Sequence, residues 1–299
     1  MHSVTLPSYA KINACLHILG RRADGYHELR TIFQAISLHD DLTLTRTRGA
    51  KIELESNEGS LPTGRENLVW RAIDALRREL GHRAGVHVHL QKRIPIGRGL
   101  GGGSGNAASA LIGYLRLLKA AVPPARLIEI AASLGADVPF FLGGGRALGI
   151  GRGDELYPLP DAPRRSVVVV SPHDVAVVTR DAYSWVAGKL TRGGKPRTIF
   201  SFCASCWSTQ RTAASNDFET VVFKRHPRLA RIKRDLLQRG AAEAALAGSG
   251  SAVFGVFHHP AQARRTASAL GGSSQDRVFV THTLSRREYL RALHWRGLV

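Results

Sequence analysis

Residues 95–108 read Pro95-Ile96-Gly97-Arg98-Gly99-Leu100-Gly101-Gly102-Gly103-Ser104-Gly105-Asn106-Ala107-Ala108. Before them Val86, Val88 and Leu90 alternate with His87, His89 and Gln91 as a short strand, and after them an Ala/Leu-rich stretch near 104–119 predicts a helix. Glycines between a strand and a helix let backbone N–H groups turn inward without Cβ obstruction, and the helix adds the positive end of its dipole. Phosphate is the ligand such a loop suits. The plain alternative, a flexible surface loop, seldom lies between two well-formed elements. The neighbourhood favours an anion: between Glu79 and Glu129 there is no Asp or Glu, while Arg83, Lys92, Arg93, Arg98, Arg116 and Lys119 all fall there.

Two familiar phosphate loops are excluded by what surrounds these glycines. A Walker loop ends in Gly-Lys-Ser/Thr, whereas here Gly103 leads to Ser104 with no Lys. Gly97 to Gly102 match the dinucleotide fingerprint literally, but that motif needs an acid about 20 residues on for the ribose, and the acid-free stretch has none.

Working outward, residues 4–18 alternate, with Val4, Leu6, Ala10, Ile12, Ala14, Leu16 and Ile18 on one side and Lys11, Asn13, Cys15 and His17 on the other, which predicts a strand with Lys11 on its non-core face. Arg22-Ala23-Asp24-Gly25 supplies a turn, and Leu29 to Leu44 reads as the returning strand, with Asp40-Asp41 marking a bend. Thr63-Gly64-Arg65-Glu66 has a capping-box pattern, so a helix is expected over about 64–80. Another is expected near 124–134, then an irregular stretch rich in glycine from 143 to 153. Beyond it, 167–170, 252–257 and 277–283 read as strands and 227–239 and 260–270 as helices, with no element assigned in 187–215. The expectation is an α+β chain of two domains, 1–155 and 156–299, with the boundary close to 155.

Asp137 stands out as a base. It is the only acid between Glu129 and Asp154, set among Ala136, Val138, Pro139 and Phe140, where a carboxylate needs a partner to remain charged. Lys11 is the candidate partner, and the same ammonium would lower the pKa of an alcohol. A structural ion pair is the alternative. Tyr26 and His27 follow the Asp-Gly turn, so a hairpin returns them beside the strand carrying Lys11 and Asn13. An aromatic there stacks on a nucleobase and a His bonds its edge; local packing of turn aromatics explains them equally well.

Composition bounds the remaining classes. A chain of 299 residues, 43% hydrophobic and 22% charged, with three Cys, is neither disordered nor a disulfide scaffold. The N-terminus lacks a basic start followed by an apolar core, and no run reaches the ~18 apolar residues of a bilayer span, so a cytoplasmic chain with no membrane partner is expected. A net charge of +19 invites nucleic acid, yet the arginines are scattered over the chain with no basic tail and no interleaved aromatics, so no nucleic-acid partner is expected. Cys203-Ala204-Ser205-Cys206 is a lone C-x-x-C, His87 and His89 lack a third ligand, and the basic stretch Arg228, Arg231, Lys233, Arg234 reads as solvated surface.

Pro-x3-Gly-Leu-Gly followed by Gly/Ser and small residues resembles the loop of the GHMP kinases, the family of galactose, homoserine, mevalonate and phosphomevalonate kinases. Leu246 to Phe254, with Gly248-Ser249-Gly250-Ser251, looks like that family's C-terminal motif, a glycine loop that closes on the phosphate loop, and Ser8 to Asn13 looks like its N-terminal motif. Arg22 to His27, Gly135-Ala136-Asp137-Val138-Pro139 and Ser215-Asn216-Asp217-Phe218-Glu219 are closest to those members that phosphorylate a cytidine-diphosphate-linked polyol in the non-mevalonate route to isoprenoids. The resemblance runs from about residue 5 to about 295; Arg98 and Gly105 stand where the family more often has Gly and Ser. It implies a GHMP kinase-like fold with the active-site cleft between two domains, ATP as phosphoryl donor and Mg²⁺ as its companion, with Ser104 the one candidate to approach the metal. It further implies that Pro95, Gly97, Gly99, Leu100, Gly101, Gly102, Gly103 and Ser104 hold the nucleotide, with Asn67 and Lys92 facing it. Tyr26 and His27 would hold the cytosine, Tyr183 would take its opposite face, and Thr179 and Asn13 would lie by the substrate, with Asp137 and Lys11 catalytic.

Overall fold

In the computed structural model the alternation that begins at Val4 becomes one long hairpin. The structure describes residues 2–190, 202, 214–272 and 275–298. Strands β1 (Ser3–Arg21) and β2 (His27–Thr47) pair antiparallel from Ser3↔Thr45 to Arg21↔His27. Gly25 closes the turn at φ +85°, and the Asp24 carboxylate accepts from the Tyr26 N–H at 3.1 Å. The register slips between Tyr9 and Ala10, and there β2 changes partner on its other edge. Its Asp41–Thr47 half pairs with β4 (Gly85–Gln91), and its Leu29–Gln34 half with β5 (Arg146–Gly151). Strands β3 (Ile52–Ser56), β6 (Glu155–Pro158) and β8 (Ser215–Asn216) complete a seven-stranded sheet. Helices α1 (Leu68–Leu80), α2 (Gly102–Leu118) and α3 (Pro124–Leu134) share one core with it, where Leu6, Leu42 and Val88 meet Ile73 and Leu111, and the short α4 (Phe140–Gly143) joins them.

A second, four-stranded antiparallel sheet runs in the order β11-β7-β10-β9, built from β7 (Ser166–Ser171), β9 (Glu243–Leu246), β10 (Val253–Phe257) and β11 (Arg277–His282). Helices α5 (Thr179–Leu190), α6 (Glu219–Arg225), α7 (Pro227–Gln238) and α8 (Pro260–Gly271) accompany it, with Val168, Val170, Leu229 and Leu236 in their common core. The last helix, α9 (Arg286–Ala292), returns to the first core and buries Tyr289 there. Ala10, Ile12 and Leu100 of the first sheet's side pack with Val167, Val169 and Ala247 of the second, so one apolar cluster joins the two. The architecture is α+β, as expected. Among the described residues no helix is long and apolar enough to cross a membrane.

Several local expectations need correction. Helix α1 begins at Leu68, not 64, because Asn67 is its N-cap and its side-chain oxygen accepts from Val69 N at 2.8 Å. The glycine-rich stretch 143–153 is not irregular: it carries β5, and a Cβ at Gly149 would lie 2.7 Å from the Phe33 ring, so the glycine is what lets β5 lie against β2. Asp40-Asp41 is no bend; both residues sit within β2, and Asp40 is fully buried. The Lys11 face of β1 is no solvent face either, since Lys11, Asn13, Cys15 and His17 are all buried. Arg228 and Lys233 of the basic helix α7 are partly buried in ion pairs, Arg228 with Asp174 and Asp276 and Lys233 with Glu219. Cys203 and Cys206 lie outside the described residues.

Candidate active site

Helix α2 is pinned directly on β1. A Cβ at Gly105 would lie 2.6 Å from the carbonyl oxygen of Tyr9, so only glycine allows this approach. Gly101 is its N-cap at φ +70°, and the turn is tied to β1 by Lys11 N donating to Leu100 O at 2.9 Å. The helix therefore aims its N-terminal amides, with their partial positive charge, over Lys11.

The second glycine loop, between β9 and β10, docks on the first. A Cβ at Gly99, where φ is +79°, would fall 1.8 Å from Ala247 O, and Ala252 N donates to Arg98 O at 3.2 Å. Asn216 fixes the second loop by donating to Leu246 O at 2.8 Å and Gly248 O at 2.7 Å. Arg98 also crosses between the loops, donating to Ser251 Oγ at 2.6 Å. The two loops floor a cleft of about 1030 Å³. Every residue singled out from the sequence as catalytic, nucleotide-binding or substrate-binding lines this one cleft. Gly103 faces open space, with only Leu68 Cδ1 within 4 Å of where a Cβ would be, and Ser104 follows it in the first turn of α2.

Lys11 is buried, and its Nζ stands 3.3 Å from Asp137 Oδ2, 2.8 Å from Asn13 Oδ1 and 5.5 Å from the centre of the Phe33 ring. Asp137 lies in the turn joining α3 to α4 and is 34% exposed, so one side of its carboxylate meets the ammonium and the other faces the cleft. A hydroxyl placed there has an acceptor for its proton and a cation beside the oxygen that loses it.

Asn67 and Lys92 also line the cleft, but their polar atoms serve the protein. Asn67 caps α1 with its oxygen and donates to Pro62 O at 2.6 Å. Lys92 Nζ donates to Asp40 Oδ2 and to Asn106 Oδ1 at 3.1 Å. Asp40 accepts in addition from Arg93 N at 2.7 Å, Ile94 N at 2.8 Å and Asn106 Nδ2 at 2.8 Å, and so ties the strand leading into the phosphate loop to β2 and α2. The sequence reading missed this anchor, although Asp40, Leu42 and Leu44 share a strand face and the parity places an acid among core residues.

The aromatic corner differs from its expected form. The resemblance sets Tyr26 and Tyr183 on opposite faces of a base, whereas Tyr183 stacks on His27, with ring centres 4.8 Å apart and planes at 23°. Its neighbour on α6's leading turn is Phe218, edge-on at 4.9 Å. Two partly buried rings brought together by β2 and α5 cover each other when nothing separates them. Tyr26 is 56% exposed under the Arg152 guanidinium, which lies 5.1 Å from its ring centre. Burial, then the charge of Arg21, lowers the His27 pKa, so this ring is neutral at neutral pH. Its Nε2 is buried with no hydrogen-bond partner among the described residues. Thr179, at the start of α5, shares a hydrogen bond with Ser249 of the second glycine loop at 2.9 Å.

Comparison with known proteins shows the family. The GHMP kinases N terminal domain matches residues 67–145, and the GHMP kinases C terminal domain matches residues 201–274. The chain is 44% identical over 295 residues to a 4-diphosphocytidyl-2-C-methyl-D-erythritol kinase of Solibacter usitatus, covering 97% of this chain and 91% of that protein. It is 41% identical over 289 residues to the like-named kinase of Moorella thermoacetica, covering 95% of this chain and all of the other. A crystal structure of 4-(cytidine 5'-diphospho)-2C-methyl-D-erythritol kinase superposes with a TM-score of 0.79 at 34% identity, covering 94% of this chain and 99% of that one.

Proposed function

The chain belongs to the GHMP kinase family, and we propose that it transfers the γ-phosphoryl group of ATP to a hydroxyl of 4-diphosphocytidyl-2-C-methyl-D-erythritol, a step of the isoprenoid route that does not use mevalonate. The observation that carries the reading is the Lys11–Asp137 pair, set 3.3 Å apart beneath the N-terminus of α2. Phosphoryl transfer asks the protein mainly for position and charge. In this assignment the amides of Gly101 to Ser104 hold the donor phosphates and Asp137 takes the hydroxyl proton. As the new O–P bond forms, the bond to ADP breaks and Lys11 neutralises the charge left on the attacking oxygen.

Mg²⁺ fits this cleft as a passenger of the nucleotide. Ser104 offers a hydroxyl at the helix terminus, and among the described residues the carboxylates lining the cleft are few, Asp137 and Glu66. A small hard cation bound chiefly by phosphates and water, with one protein oxygen from Ser104, matches that donor set. When bound it neutralises charge on the β- and γ-phosphates.

The cytosine is assigned to the aromatic corner. On this reading the base parts the Tyr183–His27 stack, lies between Tyr26 and Tyr183, and brings an edge to His27 Nε2. The residues 1–155 and 156–299 are assigned as the two domains, with β6, β8 and α9 of the second segment packing back on the first, the first binding ATP and most of the substrate and the second closing over it. Stacking on one aromatic face is worth about 1–3 kcal/mol when truncated, and this contact is remote from the reacting hydroxyl. Tyr183→Ala is therefore expected to raise KM for the cytidine substrate roughly ten- to a hundredfold, with a smaller loss of kcat and no change in KM for ATP. Steady-state kinetics with each substrate varied in turn checks this, and an unchanged KM for the alcohol in both Tyr183→Ala and Tyr26→Ala refutes the cytosine assignment.

A further inference from the structure

Lys11 has two oxygen partners, and the second, Asn13 Oδ1, is an atom whose position is not self-evident. A primary amide is nearly symmetrical in shape, and the opposite orientation would place an NH₂ donor against the ammonium. Thr31 on β2 decides the matter. Its hydroxyl donates to the carbonyl of Cys15 at 2.7 Å, which consumes its only proton. Its lone pairs then face Asn13 and accept from Nδ2 at 2.8 Å. With Nδ2 held by Thr31, Oδ1 points to Lys11 Nζ. The chain Cys15 O, Thr31, Asn13, Lys11, Asp137 is buried up to the carboxylate, with Thr31 only 1% exposed, and burial strengthens each of its hydrogen bonds. It starts at the second register slip of β1, between Asn13 and Cys15, so the irregularity in the strand is what turns the Cys15 carbonyl and the Asn13 amide towards one hydroxyl.

We propose that Thr31 is a positioning residue for phosphoryl transfer: its hydroxyl fixes the orientation of the Asn13 amide and, through it, holds the Lys11 ammonium against Asp137. The proposal rests on the assignment of Lys11 and Asp137 to the chemistry, and it adds Thr31, which lines the same cleft and acts through Asn13. Valine has the shape of threonine without the hydroxyl. In Thr31→Val the Asn13 amide loses its acceptor and is free to turn, and Lys11 loses the oxygen that sets its place.

The test compares Thr31→Val and Thr31→Ser with wild type and with Asp137→Asn, measuring kcat, KM for both substrates, ATP affinity by calorimetry and the thermal midpoint. Thr31→Val is expected to lose roughly ten- to a hundredfold in kcat, the scale of a small misplacement at the reacting centre, with KM for ATP and ATP affinity unchanged. Thr31→Ser, which keeps the hydroxyl, is expected to retain kcat within about threefold. In an Asn13→Ala background Thr31→Val is expected to cost less than about threefold, because the residue through which it acts is gone. If Asp137→Asn loses its turnover while Thr31→Val keeps wild-type kcat, the positioning role is wrong and the catalytic pair stands. If Thr31→Ser falls as far as Thr31→Val, the methyl packing and not the hydroxyl matters, and the proposal is overturned. Near wild-type turnover in Asp137→Asn is a separate failure, that of the underlying assignment.

Discussion

Asp137→Asn is expected to lower kcat by about 10²–10⁴-fold, the usual scale for removing a general base, while ATP binds as before. The asparagine is isosteric and its oxygen still reaches the Lys11 ammonium, so the ion pair's geometry survives while the capacity to take a proton is lost. A purely structural ion pair behaves in the opposite way: stability falls and turnover of the folded enzyme does not. Lys11→Met, which keeps the buried stem and removes the charge, is expected to cost kcat on a comparable scale because the attacking oxygen loses its cation. Single-turnover rates, with folded fraction monitored by circular dichroism, separate the two accounts. Turnover of Asp137→Asn within a factor of a few of wild type would move the base elsewhere.

Asp40→Ala is expected to be the most destabilising change near the site, by about 3–5 kcal/mol, the scale for breaking one side of a buried ion pair. Asp40 is wholly buried and gathers four donors, the ammonium of Lys92, the amide of Asn106 and the N–H groups of Arg93 and Ile94. Removing the carboxylate leaves a buried lysine charge without its partner and two backbone donors unpaired. Asp40→Asn is expected to fall between, because one amide oxygen still serves the N–H groups while its NH₂ opposes Lys92. Urea unfolding of each variant, read as a midpoint shift at constant slope, gives the loss. A stability within about 1 kcal/mol of wild type, taken as midpoint shift times slope, would show that Lys92 is held by something else.

How much of this was readable in the sequence follows the range of each interaction. The strand, glycine loop and helix around residues 85–118 were legible because period-two alternation, glycine and helical composition are local signals. The Asp24-Gly25 hairpin was legible for the same reason. The approach of Lys11 to Asp137 spans most of the first sheet's chain, yet it could be inferred because a lone acid among apolar residues demands a cation. Asp40 was misread as a bend because two adjacent aspartates look like turn composition, while the partner that explains the buried one, Lys92, lies 52 positions on. Strand β5, within the Gly143 to Gly153 stretch, was misread because glycine usually weakens strands; here it admits the Phe33 ring at Gly149. Thr31 carried no signal at all, since a threonine in a strand is ordinary until the register slip beside it is known. The Tyr183–His27 stack was equally invisible, because it joins the turn end of β2 to a helix of the other sheet's side.

The central claim is that this cleft phosphorylates a cytidine-diphosphate-linked polyol, and it is tested most directly by coupled ADP release from ATP over a panel of alcohols at fixed enzyme. The account predicts rapid ADP release with 4-diphosphocytidyl-2-C-methyl-D-erythritol, with matching appearance of the phosphorylated product, and no more than background release with homoserine or mevalonate. Background release with the cytidine substrate, or equal turnover of homoserine or mevalonate, would contradict it.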